Sequence, residues 1–325
     1  MTYPLVVYLI PFVFGAVVGS FLNVCIYRVP KDESVVFPPS HCPRCDYRIR
    51  WYDNIPIVSY LLLRGNCRSC GCRISPLYPL VELLNGLLTM FLFLRFGATP
   101  TFLVLFLFCA ALVVITFIDL EHQIIPDVIS VPGILVGYLA SLFVPVFSYR
   151  VFLSGITTGF GTLLILLAGY RWLTRREDEP GVLKELVQLS LFAAPAALAA
   201  WHYAPLFPFH SWADSLSGIL VGGGSLLLVA SAYAAIAGRE GMGGGDIKLL
   251  AMMGAFLGWR AIPFIVFAGS LVGSVIGITV MVLQKKDSKL ALPFGPFLAF
   301  GAVLYIFFGR QIIHWYLHLG GASGG

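Results

Sequence analysis

Long runs of apolar residues alternate along the chain with shorter polar connections. A helix of about 20 residues, rising about 1.5 Å per residue, is needed to cross a hydrocarbon layer about 30 Å thick. The sequence predicts ten such crossings, at residues 4–27, 79–96, 101–118, 128–148, 151–170, 186–206, 215–237, 247–259, 261–283 and 290–309. This pattern predicts an all-α polytopic membrane protein with about ten transmembrane helices.

The composition agrees with this pattern and excludes a soluble globular domain. Of the 325 residues, 58% are hydrophobic and 11% are charged, and the mean hydropathy is +0.89. Soluble domains carry roughly 25% charged residues. No Lys or Arg precedes the first apolar run, which is also too long for the apolar part of a signal peptide. We therefore expect this run to remain as a membrane anchor.

The basic residues fall mainly on one side of the predicted membrane. If the N-terminus is outside, 17 of the 21 Lys and Arg residues lie in connections on the opposite side. Positively charged connections stay in the cytoplasm, so this side is predicted to be cytoplasmic. The net charge of +5 is then explained by these connections and the anionic lipids of the inner leaflet. We expect membrane lipids as partners and no nucleic acid.

One polar connection, residues 28–78, is long enough to form a small cytoplasmic loop domain. It contains two Cys-x-x-Cys pairs with 21 residues between them: Cys42, Cys45, Cys67 and Cys70. Two such turns direct four sulfurs to one tetrahedral ion, which indicates a structural zinc site. The alternative is two disulfides, which are rare in a reducing cytoplasm. We interpret Cys72 as a bystander that is an alternative to Cys70, and His41 as a spare ligand.

Two acidic residues lie where apolar runs meet the cytoplasmic side. Asp119 ends the uncharged run TFLVLFLFCAALVVITFI, and Asp246 opens the run that follows three glycines. Each acid alone has an ordinary interpretation as a charged residue at a membrane boundary. Together, at one predicted depth, they suggest a carboxylate dyad that shares a proton. One carboxylate of such a dyad activates water and the other polarises a carbonyl, which is the chemistry of an aspartic protease.

The glycines directly before Asp246 favour the same interpretation. Gly243, Gly244 and Gly245 permit positive φ and a close approach of another backbone. An extended peptide can lie against such a segment. A flexible loop or a helix cap is the alternative for a glycine run alone.

These residues and their surroundings resemble the prepilin peptidases, membrane aspartyl proteases of the GxGD type. The four cysteines belong to the resemblance. Its other stretches are GSFLNVCIYRVP at 19–30, DNIPIVSYLLLRG at 53–65, YPLVELLNG at 78–86, FIDLEHQIIPD at 117–127, GMGGGDIKLLAMMGAFLGW at 241–259 and PFGPFLAFGA at 293–302. The resemblance implies that Asp119 and Asp246 are the catalytic aspartates and that Gly243 and Gly245 complete the GxGD motif.

The resemblance also implies a function. Members of this family remove the leader from type IV prepilins and pseudopilins at the cytoplasmic face of the bacterial inner membrane, in type IV pilus assembly and type II secretion. They then methylate the new amino terminus with S-adenosylmethionine, an activity associated with the cytoplasmic part. Residues 28–78 show no glycine-rich nucleotide loop after a strand, so the expected methylation rests on the resemblance.

An internal repeat distinguishes the chain from the usual family pattern of about eight spans. Residues 152–177 align without gaps to residues 215–240, and 11 of the 26 positions are identical. We therefore predict an eight-span core with one duplicated two-helix unit. The predicted segments are a first helix (1–27), a zinc loop domain (28–78), helices with the first aspartate (79–151), the extra two-helix unit (152–214) and helices with the GxGD motif (215–325).

Three alternatives accompany these predictions. Asp127 is a rival to Asp119, but it follows Pro126 and is interpreted as the cap of the next helix. Glu82 lies near the cytoplasmic end of a span and is predicted to contact substrate or the methyl-transfer site or to shape the loop, or else to pair with its basic residues. A proton-coupled transporter would place its acidic relay near the membrane midplane, and a simple binding module would leave the GxGD glycines unexplained.

Overall fold

The computed structural model of the chain describes residues 5–143, 212–238, 243–284 and 293–319. In these ranges there are ten α-helices: α1 (Leu5–Arg28), α2 (Val58–Leu62), α3 (Leu77–Phe96), α4 (Pro100–His122), α5 (Asp127–Phe143), α6 (Trp212–Ala237), α7 (Gly244–Leu257), α8 (Ala261–Gln284), α9 (Gly295–Leu304) and α10 (Arg310–Leu319). Short 3₁₀ turns occur at Val29–Lys31 and Trp51–Asn54, and a π-helical turn, Tyr305–Gly309, joins α9 to α10. Strand pairing in these ranges is limited to two isolated bridges. The predicted helical class is therefore confirmed.

The long helices coincide with the predicted membrane crossings. Five described helices, α1, α3, α4, α6 and α8, are long and apolar enough to cross a membrane. Helices α5, α7 and α9 lie at three further predicted crossings but are shorter, and α7 has only 14 residues. The crossings predicted at 151–170 and 186–206, with the first copy of the repeat, lie outside the described residues. The protein is a multi-pass membrane protein, and the number of ten crossings remains a prediction.

The chain divides into two compact units, Met1–Pro126 and Asp127–Gly325. In the first unit, α3 packs along α1, and both helices contact α4. The contact is close because α1 presents Gly15 and Gly19, where an added Cβ would meet the side chain of Thr89 and the backbone of Glu82. Small residues of this kind let helix backbones approach each other in lipid, where apolar burial gives no net drive to associate.

A hydrogen bond accompanies these glycine contacts. The side-chain amide of Asn85 donates to the carbonyl oxygen of Gly15 at 2.7 Å, in a buried position on α3. At the end of the same interface, the amide of Asn23 donates to the carbonyl oxygen of Tyr78 at 3.0 Å. Both amides reach from one helix to the backbone of the other. They therefore fix α1 against α3 in both depth and rotation.

In the second unit, α7 lies between α5 and α6. Every residue of α7 from Leu249 to Leu257 is buried, as expected for a helix that is apolar on all sides. The contact with α6 is closest where Gly218 meets Gly254, because an added Cβ on either glycine would collide with the backbone of the other. The hydroxyl of Ser215 donates to the carbonyl oxygen of Ala255 at 2.7 Å beside this contact. Helix α7 is thus held by its neighbours, which explains how so short a helix keeps a fixed position.

The glycine contact predicts an unusual response to alanine. In a helix interior, Gly→Ala is normally favourable by about 1 kcal/mol because alanine has the higher helix propensity. At Gly254 the added methyl would instead collide with the Gly218 backbone, and overpacking of this kind costs about 1–3 kcal/mol. We expect Gly254→Ala to lower the unfolding temperature of the purified protein in detergent. Gly218→Ala should do the same.

Gly244→Ala is the matched control because it changes the same helix. An added Cβ at Gly244 has nothing within 4 Å. This variant should unfold at the wild-type temperature or slightly above it. If Gly254→Ala were as stable as Gly244→Ala, the close contact between α6 and α7 would be wrong.

Candidate functional site

Two short loops in the first unit have nearly the same backbone structure. In the first knuckle (residues 40–49), the N–H of Cys42 donates to Tyr47 O at 3.0 Å and the N–H of Asp46 donates to Cys42 O at 2.9 Å. In the second knuckle (residues 65–74), the corresponding bonds are Cys67 N–H to Cys72 O at 2.8 Å and Gly71 N–H to Cys67 O at 3.0 Å. Asp46 and Gly71 both adopt the left-handed conformation, with φ of 52° and 69°. The loops are therefore two copies of one turn, 25 residues apart in the sequence.

The two knuckles bring the four predicted cysteines together. The sulfurs of Cys42, Cys45, Cys67 and Cys70 all lie within 4.8 Å of one another, and those of Cys42 and Cys70 are 3.9 Å apart. A tetrahedral ion with metal–sulfur bonds of about 2.3 Å requires sulfur–sulfur distances of about 3.8 Å. The four side chains therefore fit a tetrahedral metal ion.

The backbone of each knuckle favours a thiolate at its first cysteine. Burial raises the pKa of Cys42, but hydrogen bonds from the backbone N–H groups of Arg44 and Cys45 outweigh burial and lower this pKa to about 6. At the equivalent position, the backbone N–H groups of Cys70 and Ser69 lower the pKa of Cys67. Metal ions bind the thiolate form of cysteine, so these N–H groups favour metal binding.

Cys72 and His41, the two spare ligands considered from the sequence, lie at the edge of this cluster. Cys72 occupies the position in the second knuckle that Tyr47 occupies in the first. Its sulfur is 3.6 Å from that of Cys42, but it is not part of the group of four. The ring of His41 is engaged with the carbonyl oxygen of Pro39 at 3.1 Å. Because the Cys72 sulfur is as near to Cys42 as the Cys70 sulfur is, the interpretation of Cys72 as a bystander remains a prediction.

The loop domain between the knuckles is fixed by an ion pair that the sequence analysis did not predict. Arg68, in the second knuckle, donates to both carboxylate oxygens of Asp53, with distances from 2.6 to 3.0 Å. Asp53 belongs to the Trp51–Asn54 turn, and its side chain is 6% exposed. No sequence spacing signals this pair, because 15 residues separate its members.

Glu82 lies in the second turn of α3, where it contacts the loop domain. Its carboxylate accepts a hydrogen bond from the backbone N–H of Ile57 at 2.7 Å, and the residue is 8% exposed. Helix α1 approaches it at Gly19, where an added Cβ would be 2.8 Å from the Cα of Glu82, and at Ser20, whose side chain hydrogen-bonds to Glu82. Glu82 therefore shapes the loop through the Ile57 backbone. It does not form an ion pair with the basic residues of the loop that the structure describes.

Asp119 lies in the last turn of α4 and is buried, at 5% exposure. The helix ends just beyond it because Gln123 takes a left-handed conformation (φ 55°) and its N–H donates to the Asp119 carbonyl oxygen at 2.9 Å. Hydropathy predicts that this span ends at residue 118. The helix in fact includes Asp119 and continues to His122.

Asp246 lies in the first turn of α7, directly after the glycines. Gly243 is the N-cap residue, with φ −69° and ψ 140°, and none of the three glycines adopts the positive φ that the sequence analysis considered. Gly243 and Gly244 are exposed, and an added Cβ at either position would have no described atom within 4 Å. Among the described residues, the space beside these two glycines is therefore open.

Asp127, the rival to Asp119, has a structural partner. It begins α5, as expected of a residue that stabilises a helix start, and its carboxylate accepts two hydrogen bonds of 2.7 Å from the ammonium group of Lys248. Lys248 lies two residues after Asp246 on α7. This ion pair joins the start of α5 to the first turns of α7, and the sequence analysis did not predict it.

The structure thus assembles two parts of the predicted site. The four cysteines form one cluster, and the glycines with Asp246 form the start of α7. Asp119 belongs to the unit Met1–Pro126 and Asp246 to the unit Asp127–Gly325. The pairing of these two carboxylates therefore remains a prediction.

Comparison with protein families gives two matches. The bacterial peptidase A24 N-terminal domain matches residues 13–96, which include both knuckles and Glu82. The type IV leader peptidase family matches residues 106–177 and 182–278, which include Asp119 and Asp246. The two descriptions together cover most of the chain.

Curated relatives match over nearly the whole length. A protein of Pseudomonas aeruginosa named prepilin leader peptidase/N-methyltransferase is 31% identical, over 98% of this chain and 97% of the relative. A protein of the same name from Aeromonas hydrophila is 32% identical, over 94% of this chain and 92% of the relative. No solved structure matches the chain. The two matched stretches and the near full-length relatives show that the protein belongs to the type IV leader peptidase family.

Proposed function

We propose that the protein removes the leader from type IV prepilins and pseudopilins and then N-methylates the new amino terminus. Family membership and the names of the near full-length relatives support both activities. The structural observation that carries the proteolytic part is the open, glycine-lined start of α7 directly before Asp246. A proton-coupled transporter, the alternative from the sequence, has no support among these relatives.

The proposed proteolysis uses Asp119 and Asp246 as a dyad. Two carboxylates that approach each other cannot both ionise cheaply, so they share one proton. The ionised carboxylate takes a proton from water, and the water oxygen attacks the scissile carbonyl carbon while the protonated carboxyl group polarises the carbonyl oxygen. As the C–N bond breaks, the leaving amine takes the proton that the first carboxylate received from water. Asp119 and Asp246 both lie in terminal helix turns, as water-dependent chemistry requires.

The glycines before Asp246 are proposed to receive the substrate backbone. Side chains at Gly243 and Gly244 would occupy the space that is open in the structure. An extended peptide lying there can approach the first turn of α7 closely. Gly245 completes the GxGD motif and lies next to the acid.

The methyl transfer requires S-adenosylmethionine, and the loop domain requires a metal. S-adenosylmethionine, when bound, would supply an electrophilic methyl group to the new amine. We assign the tetrahedral cysteine cluster to structural zinc, because four thiolates in two knuckles are the usual zinc ligands. A domain of this size has little core, so zinc would contribute much of its folding free energy.

We further propose that the protein resides in the bacterial inner membrane with its N-terminus outside. The loop domain and both aspartates are then on the cytoplasmic side. This orientation is supported by the distribution of Lys and Arg, because 17 of 21 fall on that side. Prepilin leaders would meet the enzyme at this face.

The dyad predicts a specific pattern of activities. Asp119→Asn and Asp246→Asn preserve side-chain shape but remove the shared proton and the base. Each should reduce leader cleavage at least about 100-fold, measured by mass spectrometry of a prepilin incubated with purified protein. The double variant should be no worse than either single variant, because members of one catalytic unit are not additive.

Asp127→Asn is the matched control for these variants. It removes one member of the ion pair with Lys248, and both side chains are exposed (62% and 41%), so the cost is about 1 kcal/mol or less. Cleavage should stay measurable, and Lys248→Met should behave in the same way. Substantial cleavage by correctly inserted Asp246→Asn protein would contradict the aspartyl mechanism. Loss of activity in Asp127→Asn alone would move the first carboxylate from Asp119 to Asp127.

The cysteine cluster predicts a defined metal content. Purified wild-type protein should contain about one zinc per chain, measured by elemental mass spectrometry. Cys42→Ser and Cys67→Ser each remove a ligand and should abolish zinc binding. The leader should still be cleaved, because the proposed aspartates lie outside the loop domain.

Cys72→Ser is the control, since it makes the same change in the same knuckle at the position equivalent to Tyr47. It should retain full zinc content. Zinc retained in Cys70→Ser and lost in Cys72→Ser would identify Cys72 as the fourth ligand. Wild-type protein without metal would reject the site.

A further inference from the structure

A cavity of about 440 Å³ lies in the first unit, between the ends of α1 and α3 and the loop domain. Asn23, Tyr27 and Arg28 line it from α1, and Tyr78 and Glu82 line it from α3. Both knuckles and α2 complete its wall. Its volume falls in the range of about 300–1,000 Å³ that is typical of small-molecule sites.

Among the charged residues that line the cavity, Glu82, Arg28 and Asp53 have buried side chains, and Asp53 is paired with Arg68. Glu82 is 8% exposed and Arg28 is 5% exposed. Arg28 donates to the carbonyl oxygens of Ser34 and Pro38, at 2.8 and 2.7 Å, and Glu82 accepts from the N–H of Ile57. Among the described residues, neither Glu82 nor Arg28 is a member of an ion pair, unlike Arg68 and Asp53.

Glu82 and Arg28 would both be stabilised by a ligand of complementary charge. A buried charge is costly unless an opposite charge or enough hydrogen bonds compensate it. A carboxylate has about four acceptor sites and a guanidinium has five N–H donors, so the bonds that Glu82 accepts from Ile57 and Ser20, and the two that Arg28 donates, leave capacity on both. A ligand that carries a cation and a carboxylate would compensate Glu82 and Arg28 at the same time.

We propose that this cavity is the binding site for S-adenosylmethionine, with Arg28 binding its methionine carboxylate and Glu82 facing its sulfonium. This assignment rests on the proposed methyl transfer and adds the residues that perform the binding. The size of the cavity suits a nucleoside linked to an amino acid. The loop domain has no glycine-rich nucleotide loop, and the nucleoside would bind in this cavity instead.

The tyrosines of the cavity fit the same ligand. Tyr60 and Tyr78 line it from α2 and α3, and Tyr27 lines it from α1 with the ammonium group of Lys31 3.4 Å from the centre of its ring. Aromatic faces stack on purine rings and attract cations such as a sulfonium. A zwitterionic phospholipid head group, the other ligand with both charges, has no ring for these faces to stack on.

The cysteine cluster also forms part of the cavity wall. Cys42 and Cys67 line the cavity, together with their neighbours Pro43 and Arg68. A metal that holds the two knuckles together therefore also holds one wall of the cavity. Removing the metal should weaken nucleoside binding even though no part of the nucleoside need contact it.

The test compares two nucleosides that differ in charge at sulfur. Binding of radiolabelled S-adenosylmethionine and S-adenosylhomocysteine is measured by equilibrium dialysis with the full chain in lipid nanodiscs. Glu82→Gln keeps the shape and an acceptor for the Ile57 N–H but removes the negative charge. It should weaken S-adenosylmethionine binding at least about tenfold and change S-adenosylhomocysteine binding much less, because the latter has a neutral sulfur.

Glu33→Gln is the matched control, since Glu33 lies near the end of α1 but does not line the cavity. Its affinities should equal those of the wild type. Zinc content and the unfolding temperature of Glu82→Gln report whether the variant is folded. Should it fail to fold, ultraviolet crosslinking of S-adenosylmethionine to the wild-type chain provides the test, and the labelled peptides should contain Tyr27, Tyr60 or Tyr78.

Three results would overturn the assignment. Equal S-adenosylmethionine affinity in wild type and folded Glu82→Gln, or crosslinks confined to residues outside the cavity, would reject this site and leave the proposed methyl transfer intact. Phosphatidylethanolamine that copurifies with wild type but not with Glu82→Gln, while nucleoside binding is unchanged, would assign the cavity to a lipid head group. Wild-type protein that binds neither nucleoside would contradict the proposed methyl transfer as well.

Discussion

Hydrocarbon offers no hydrogen-bond partner to the chain, and this constraint determines where polar chemistry lies in the molecule. Inside the helices, polar side chains bond to nearby backbone: the Asn85 amide to Gly15, and the Ser215 hydroxyl to Ala255. The acids of interest lie near helix ends, Asp119 in the last turn of α4, Asp246 in the first turn of α7, and Glu82 in the second turn of α3. The middle parts of the helices pack against each other, and the candidate site acids lie near the helix ends.

The same constraint explains what the sequence predicts well. A long apolar run in lipid has essentially one solution, a helix, so α1, α3, α4, α6 and α8 lie where hydropathy predicts them. The cysteine cluster is equally predictable, because two Cys-x-x-Cys turns leave few ways to arrange four sulfurs. Helix ends are less predictable. Helix α4 continues to His122 and ends where Gln123 adopts the left-handed conformation, and hydropathy does not predict such a local backbone conformation.

Contacts between distant segments are the part that the sequence does not reveal. The Asp53–Arg68 pair, the Asp127–Lys248 pair and the hydrogen bond from Ile57 to Glu82 join residues 15, 121 and 25 positions apart. Each depends on how the chain folds back, and no periodicity encodes it. The glycines before Asp246 are instructive as well. Their composition permits positive φ, but the structure uses them as an uncrowded helix start.

Gly19 shows how helix packing and the proposed nucleoside site depend on each other. Because Gly19 has no side chain, α1 approaches the Cα of Glu82 closely enough that any Cβ there would have to displace α3. A displaced α3 would carry the Glu82 carboxylate away from the Ile57 N–H and shift one wall of the cavity relative to Arg28 on α1. The helix contact at Gly19 therefore sets the spacing of Glu82 and Arg28 together with the loop domain, because both side chains also hydrogen-bond to loop backbone.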